Sequence, residues 1–107
     1  MPKEAEHMPL TCLEEGSTLT ARLSGEVDHH AARSLMGQLA GRVETALPME
    51  LTLDMEGVTF MDSSGIALVL RLWRQMAQLG GRLCLRNIPR QAEKVLKAAG
   101  VDKLVPW

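Results

Sequence analysis

Alternating apolar and polar residues near the start of the chain predict a β-hairpin. Residues 10–14 and 19–23 alternate with the two-residue period of a half-buried strand. The segment between them, residues 15–17, reads Glu-Gly-Ser and is typical of a turn. Residues 1–8 are rich in charged and polar side chains and are expected to form a disordered tail. A single folded domain is therefore expected over residues 9–107.

The next segment has the periodicity of an amphipathic helix. Apolar residues recur at intervals of four from Leu35 to Val43. Asp28 is placed to cap the start of this helix, and Pro48 lies just past its end. We expect the first helix over residues 30–46.

Two further helices are predicted downstream. The second is expected over residues 64–78, because the Gly80 and Gly81 pair supplies a left-handed C-terminal cap. The third is introduced by Pro89, which suits a helix start, and stops at Gly100.

The second helix has an ambiguous apolar face. The residues expected on its buried face are Ile66, Val69, Leu70, Trp73 and Ala77. The residues expected on its polar face are Arg71, Arg74 and Gln78. Leu68 and Leu72 fall outside the polar stripe, and they belong either to the core or to an exposed apolar patch for a partner.

The remaining strands complete an α/β pattern. Residues 51–55, continued by 57–60, and residues 83–85 read as strands. The order predicts a mixed, mostly parallel sheet of four to five strands that starts with an antiparallel hairpin, with about three helices. Sites in such sheets gather at the carboxyl ends of the strands. The loops expected to share that edge are 25–28, 62–65 and 87–89.

Composition excludes several classes of function. Twelve basic and thirteen acidic residues give a net charge of −1, and aromatic residues make up 3%, so neither nucleic acid nor a membrane surface is an expected partner. The N-terminus lacks the apolar run of a signal peptide, and a cytoplasmic protein is expected. Cys12 and Cys84 lie far apart in apolar, strand-like contexts and are interpreted as small core residues.

The chemistry of the chain is concentrated where the third strand meets the second helix. Asp62, Ser63 and Ser64 are all residues that cap helices, so a purely structural role explains them. Alternatively, one serine is a phosphoacceptor at the positive end of the helix. A phosphate would add a charge of about −1.5 to −2 beside Asp62 and near Asp28 and Glu26.

Two other chemistries are disfavoured by the local sequence. A hydrolase nucleophile elbow needs glycine two residues before the serine, where this chain has Met61. His29 and His30 are adjacent, so their side chains diverge on a helix and do not match the spacing of a zinc site.

The combination of motifs resembles a known family. The runs Gly-Glu-Val-Asp-His-His at 25–30, Phe-Met-Asp-Ser-Ser-Gly at 60–65 and the glycine pair at 80–81 are similar to the anti-sigma factor antagonists of the STAS family. The resemblance covers about residues 10–105, and it is strongest to the sporulation branch that controls the forespore sigma factor. It implies the STAS fold.

The resemblance also implies a mechanism. In this family an anti-sigma factor that is an ATP-dependent serine kinase phosphorylates the first serine of the motif, here Ser63. The unphosphorylated form binds the anti-sigma factor and frees sigma, and a phosphatase restores the serine. The resemblance implies that the chain is not an enzyme, holds no cofactor or metal, and touches its partners through these residues: Gly25, Glu26, Asp28, Met61, Asp62, Ser64 and Gly65.

A different STAS system remains the alternative. The chain would then be an interaction module of a stress-response or transporter-associated complex. Members of the sporulation branch usually continue with another helix beyond the segment that matches residues 104–107, so Trp107 is expected to be partly exposed.

Overall fold

The structure, a computed structural model, describes residues 10–107, and the predicted tail of residues 1–8 lies outside them. The described residues form four strands and three α-helices. In chain order they are β1 (Leu10–Glu15), β2 (Thr18–Val27), α1 (His29–Ala46), β3 (Glu50–Met61), α2 (Ser63–Gln78), β4 (Arg82–Arg86) and α3 (Arg90–Ala98), followed by a 3-10 helix at Val101–Lys103.

The predicted mixed sheet is confirmed. Its strand order is β1-β2-β3-β4; β1 and β2 form the antiparallel hairpin, and β3 runs parallel to both β2 and β4. The crossovers between parallel strands are α1 and α2. β3 is a central strand, and its segment from Leu51 to Met55 is buried without interruption, as expected for a strand covered on both faces.

The hydrophobic core joins the sheet to the three helices. Its fully buried side chains of largest volume are Leu19, Leu23, Leu35, Leu39, Leu51, Leu53, Met55, Met61, Leu72, Met76, Leu83 and Leu96. Apolar burial on this scale, at about 25 cal/mol per Å², is the main force that holds the strands in register. The first helix is confirmed, since Leu35, Leu39 and Val43 all face this core.

The buried face of α2 differs from the sequence prediction. Leu68, Val69, Leu72 and Met76 are buried, whereas Ala77 is exposed. Three other residues of the predicted face, Ile66, Leu70 and Trp73, are only partly buried. The core therefore takes Leu68 and Leu72, and the interpretation of these two as an exposed patch is wrong. The helix ends as predicted, with Gly80 in the left-handed conformation at φ 79°.

A buried polar network fixes the end of β4. Asp54 on β3 is 7% exposed, and its Oδ1 accepts hydrogen bonds from Asn87 Nδ2 at 3.1 Å and from the Glu56 N–H at 3.1 Å. Its Oδ2 lies 3.5 Å from Nε of Arg22. Burial raises the pKa of the Asp54 carboxyl, but these donors outweigh burial and hold its pKa below the ordinary value.

This network corrects one prediction about the sheet edge. β4 pairs with β3 only as far as Arg86 with Asp54, so Asn87 lies beside the middle of β3. Asn87, where the 87–89 loop begins, therefore lies about seven residues, or roughly 20 Å, short of the end of β3. The chain then runs back toward that end, since Gln91 binds the backbone of Met61. The cause is the unequal length of the two strands.

The last residues pack beside β4. Val101 and Val105 are buried, and the Leu85 N–H donates to the Pro106 carbonyl at 3.0 Å. Trp107 is 40% exposed, in agreement with the expectation from the sequence. Among the described residues, no helix is both long and apolar enough to cross a lipid bilayer.

The two cysteines lie at opposite edges of the sheet. Cys12 is on β1 and Cys84 is on β4, and both are free, partly buried thiols. Burial raises the pKa of each thiol above its ordinary value, which disfavours the reactive thiolate.

Candidate functional site

The candidate site is built where β2 and β3 end together. The two parallel strands are paired as far as Val27 and Met61, and the Asp62 N–H donates to the Val27 carbonyl at 3.4 Å. Asp28 and Asp62 each follow directly from these paired positions. Two of the three loops predicted to share an edge, 25–28 and 62–65, are thus brought side by side.

Each aspartate caps the helix that follows it. Asp28 Oδ1 accepts from the Ala31 N–H at 2.9 Å, and Asp62 Oδ1 accepts from the Ser64 N–H at 2.8 Å. The side chains satisfy amide groups that have no partner within a helix's first turn. The N-termini of α1 and α2 therefore lie together at one edge of the sheet.

The cap assignment separates the roles of the two serines. The sequence left open whether Ser63 or Ser64 caps α2; the structure assigns the cap to Asp62, so both hydroxyls are released from that role. Ser63 is the first residue of the helix and is exposed. Ser64 is partly buried and lines a groove between α1 and α2. Ser63 is the more accessible of the two.

The groove beside Ser64 has a cationic border. Its volume is about 360 Å³, and its lining includes His29, Arg33, Met36, Ser64, Ala67 and Arg71. Neither Arg33 nor Arg71 forms an ion pair with any residue in the range 10–107. His29 lies in this groove with Ser64, whereas Ser63 is not part of its lining.

Gly25 and Glu26 shape the other side of the site. Gly25 has φ 84°, a left-handed conformation that favours glycine, and the register between β2 and β3 shifts between it and Glu26. Glu26 is exposed and is paired with Phe60, a residue that is 41% exposed. Sequence reasoning missed Phe60 as a surface residue, although a lone aromatic residue beside the Asp-Ser-Ser motif is a detectable signal.

Met61 and Gly65, two predicted partner-binding residues, support the site from inside. Met61 is 1% exposed and Gly65 is buried. A Cβ atom added to Gly65 would overlap Met61 Cγ and would lie 2.8 Å from its Sδ. The contact between Met61 and Gly65 lets the start of α2 pack directly on the end of β3. Any effect of these two residues on a partner would therefore act through the shape of the 62–65 loop.

Gln91 is a residue of the site that no sequence pattern indicated. It lies in the first turn of α3 and exchanges two hydrogen bonds with the backbone of Met61, each 2.8 Å long. A polar residue near a helix start is too common to be a signal.

Metal chemistry has no ligand set here. Within residues 10–107, no group of three or more His, Cys, Asp or Glu side chains is placed to hold a metal ion. His29 and His30 are both exposed on the first turn of α1.

Comparisons with known proteins agree on one family. Residues 11–106 match the family model described as "Mlab, STAS domain". The anti-sigma F factor antagonist of Lysinibacillus sphaericus is 34% identical over 90 residues, which cover 84% of this chain and 74% of that protein. The anti-sigma factor antagonist SpoIIAA in its unphosphorylated form aligns with a TM-score of 0.79 at 28% identity, over 90% of this chain and 84% of SpoIIAA. The phosphorylated form of the Bacillus cell fate determinant SpoIIAA aligns with a TM-score of 0.71 at 28% identity, over 90% of this chain and 87% of that one.

The contact between Gly65 and Met61 predicts a position that tolerates no side chain. Gly65→Ala should lower the free energy of unfolding by about 2 kcal/mol, because overpacking a filled site typically costs 1–3 kcal/mol. Gly41→Ala is the matched control, since a Cβ on that exposed residue of α1 meets nothing within 4 Å. It should be neutral or stabilising by about 0.5–1 kcal/mol. Urea unfolding measures both, and equal stability of the two variants would contradict the tight contact.

Proposed function

Because this chain belongs to the STAS domain family, in its anti-sigma factor antagonist branch, we propose that its unphosphorylated form binds an anti-sigma factor that is also a serine kinase. Binding frees a sigma factor, and transfer of phosphate from ATP to Ser63 ends the interaction. A phosphoserine phosphatase returns the protein to its binding form. The protein acts in the cytoplasm and is itself not an enzyme.

The observation that carries this proposal is the accessibility of Ser63 at the start of α2. The hydroxyl belongs to an exposed residue, and Asp62 has already taken the capping role. A kinase brings the nucleotide, the Mg²⁺ ions and the group that orients the attack, so the acceptor protein needs only a hydroxyl held in an accessible position. Ser64 supports the choice by contrast, because it is partly buried in the groove.

The electrostatics of the site explain how a phosphate would act as a switch. The first-turn amides of α2 and the positive end of its dipole favour an added anion at Ser63. A charge of about −1.5 to −2 would then lie on a surface that already carries Glu26, Asp28 and Asp62. A partner surface that packs closely against the unphosphorylated Ser63 hydroxyl would have to exclude water from the added phosphate. It would lose affinity, because a phosphate in a close-packed interface carries a desolvation cost and repels neighbouring carboxylates.

Partner contact is assigned to the exposed and half-buried residues of the two adjacent loops. Glu26 is exposed, and Asp28, Asp62 and Ser64 are partly accessible. Gly25 turns the chain so that Glu26 lies at the edge, while Met61 and Gly65 hold the loop from below.

Phosphosite mapping tests the proposal directly. Incubation with the cognate anti-sigma kinase and ATP should place a single phosphate on Ser63, which mass spectrometry of the digested protein identifies. Ser63→Ala should abolish the modification, and Ser64→Ala should retain it. Phosphate on Ser64 would overturn the assignment to Ser63. An unmodified protein under conditions where the kinase is active would favour the alternative STAS interaction module.

The double role of Asp28 as a cap and as a charge can be separated. Asp28→Asn keeps an oxygen that accepts from the Ala31 N–H, so the stability of α1 should be retained. If the kinase contacts the Asp28 carboxylate, the affinity of the Asp28→Asn variant for the kinase should fall about tenfold, or ~1.4 kcal/mol. Asp28→Ala should lose both the affinity and about 1 kcal/mol of stability. Isothermal titration and urea unfolding measure the two effects, and unchanged affinity for Asp28→Asn would exclude a direct contact.

A further inference from the structure

β3 extends well beyond the strand that covers its outer side. β4 pairs with β3 from Glu50 to Asp54, and β3 continues to Met61. Beyond Asp54, the side of β3 that faces α3 therefore has no strand neighbour among residues 10–107. Backbone amide and carbonyl groups in such a position need other partners, since unpaired polar groups are costly when they are shielded from water.

The side chain of Gln91 takes the place of the missing strand at Met61. Gln91 Oε1 accepts from the Met61 N–H at 2.8 Å, and Gln91 Nε2 donates to the Met61 carbonyl at 2.8 Å. A primary amide has the same donor and acceptor groups as a peptide unit, so this exchange copies a pair of ladder hydrogen bonds. It joins α3 to β3 across thirty positions of sequence.

Met61 is consequently held on both sides. On one side it is paired with Val27 of β2, and on the other it is bound by Gln91. Its side chain is buried against Gly65, in the first turn of α2. Only Asp62 separates this fixed backbone from Ser63, so the position of the Ser63 hydroxyl depends on where Met61 is held.

We propose that Gln91 is a positioning residue for the modification of Ser63, through a clamp formed by its side-chain amide and the Met61 peptide groups. This inference rests on the proposed phosphorylation of Ser63. Phosphoryl transfer depends on an in-line approach of the hydroxyl to the γ-phosphate, and a loss of placement lowers the rate of the step. The clamp also gives α3 a direct connection to the strand end that precedes the phosphorylation site.

The clamp itself is tested without a kinase. Gln91→Leu has a similar volume and removes both hydrogen bonds, so the Met61 amide should exchange with solvent about tenfold faster or more, in hydrogen exchange followed by NMR. Lys94→Leu is the matched control, because it places the same side chain on an exposed position of α3. It should leave the Met61 amide protected. Equal protection of Met61 in wild type and Gln91→Leu would overturn the clamp.

A second variant supplies a rescue that a purely structural role would not show. In Gln91→Glu the ionised carboxylate can accept from the Met61 N–H but cannot donate to the Met61 carbonyl. Protonation below the ordinary carboxyl pKa of about 4.3 restores the donor. Protection of Met61, relative to wild type at the same pH, should therefore recover as the pH falls from 7 to 4. Wild type and Gln91→Glu share the neighbouring charged residues, so comparing them at the same pH cancels the effect of those charges on exchange. These residues are Asp62, Arg90, Glu93 and Lys94. No recovery would contradict the two-bond geometry.

The kinetic role is tested with the cognate anti-sigma kinase and ATP at neutral pH. Gln91→Leu should lower kcat for Ser63 phosphorylation about 3- to 10-fold, because the hydroxyl is held less precisely, with KM changed less than about twofold. Lys94→Leu should match wild type. An unchanged kcat, or a rise in KM alone, would overturn the positioning role while the proposed function stands. If the wild type is not phosphorylated on Ser63, the proposed function fails, and the hydrogen exchange result still decides whether the clamp exists.

Discussion

The site depends on the register of two parallel strands. β2 and β3 are paired up to Val27 and Met61, and each strand is followed at once by an aspartate that caps a helix. A slip of one residue in this pairing would turn every side chain of the strand to the opposite face. The buried leucines of β2 and β3 prevent such a slip, because it would expose them to water. The hydrophobic core thus sets the position of Ser63 on the surface.

The same arrangement gives Asp62, Ser63 and Gly65 separate roles. Asp62 satisfies the first turn of α2, Gly65 allows the helix to sit on Met61, and Ser63 is left exposed. A regulator that receives phosphate needs no nucleotide-binding loop and no catalytic base of its own, since the kinase supplies them. What it must supply is an accessible hydroxyl in a defined place, with charges around it that respond to a phosphate.

The elements with strong local signals were predictable from the sequence. The hairpin, α1 and the mixed sheet followed from periodicity, turn residues and caps, which are all short-range properties. The buried face of α2 was not, because residues 66–70 are all apolar and periodicity cannot say which of them face the sheet. The early end of β4, which leaves Asn87 beside the middle of β3, was not predictable either, because strand length depends on tertiary pairing and β4 is much shorter than β3. The role of Gln91 could not be predicted, because its side chain binds a backbone group and not a second side chain that would form a recognisable pattern with it.

The central claim is that a charge on Ser63 switches the binding surface formed by the two loops. Its most direct test is a calorimetric titration of the cognate anti-sigma kinase with this protein before and after enzymatic phosphorylation, with the modified site verified in the same sample. We expect binding by the unphosphorylated protein and an affinity lower by about 100-fold, or ~2.7 kcal/mol, after phosphorylation. Equal affinities of the two forms would contradict the switch.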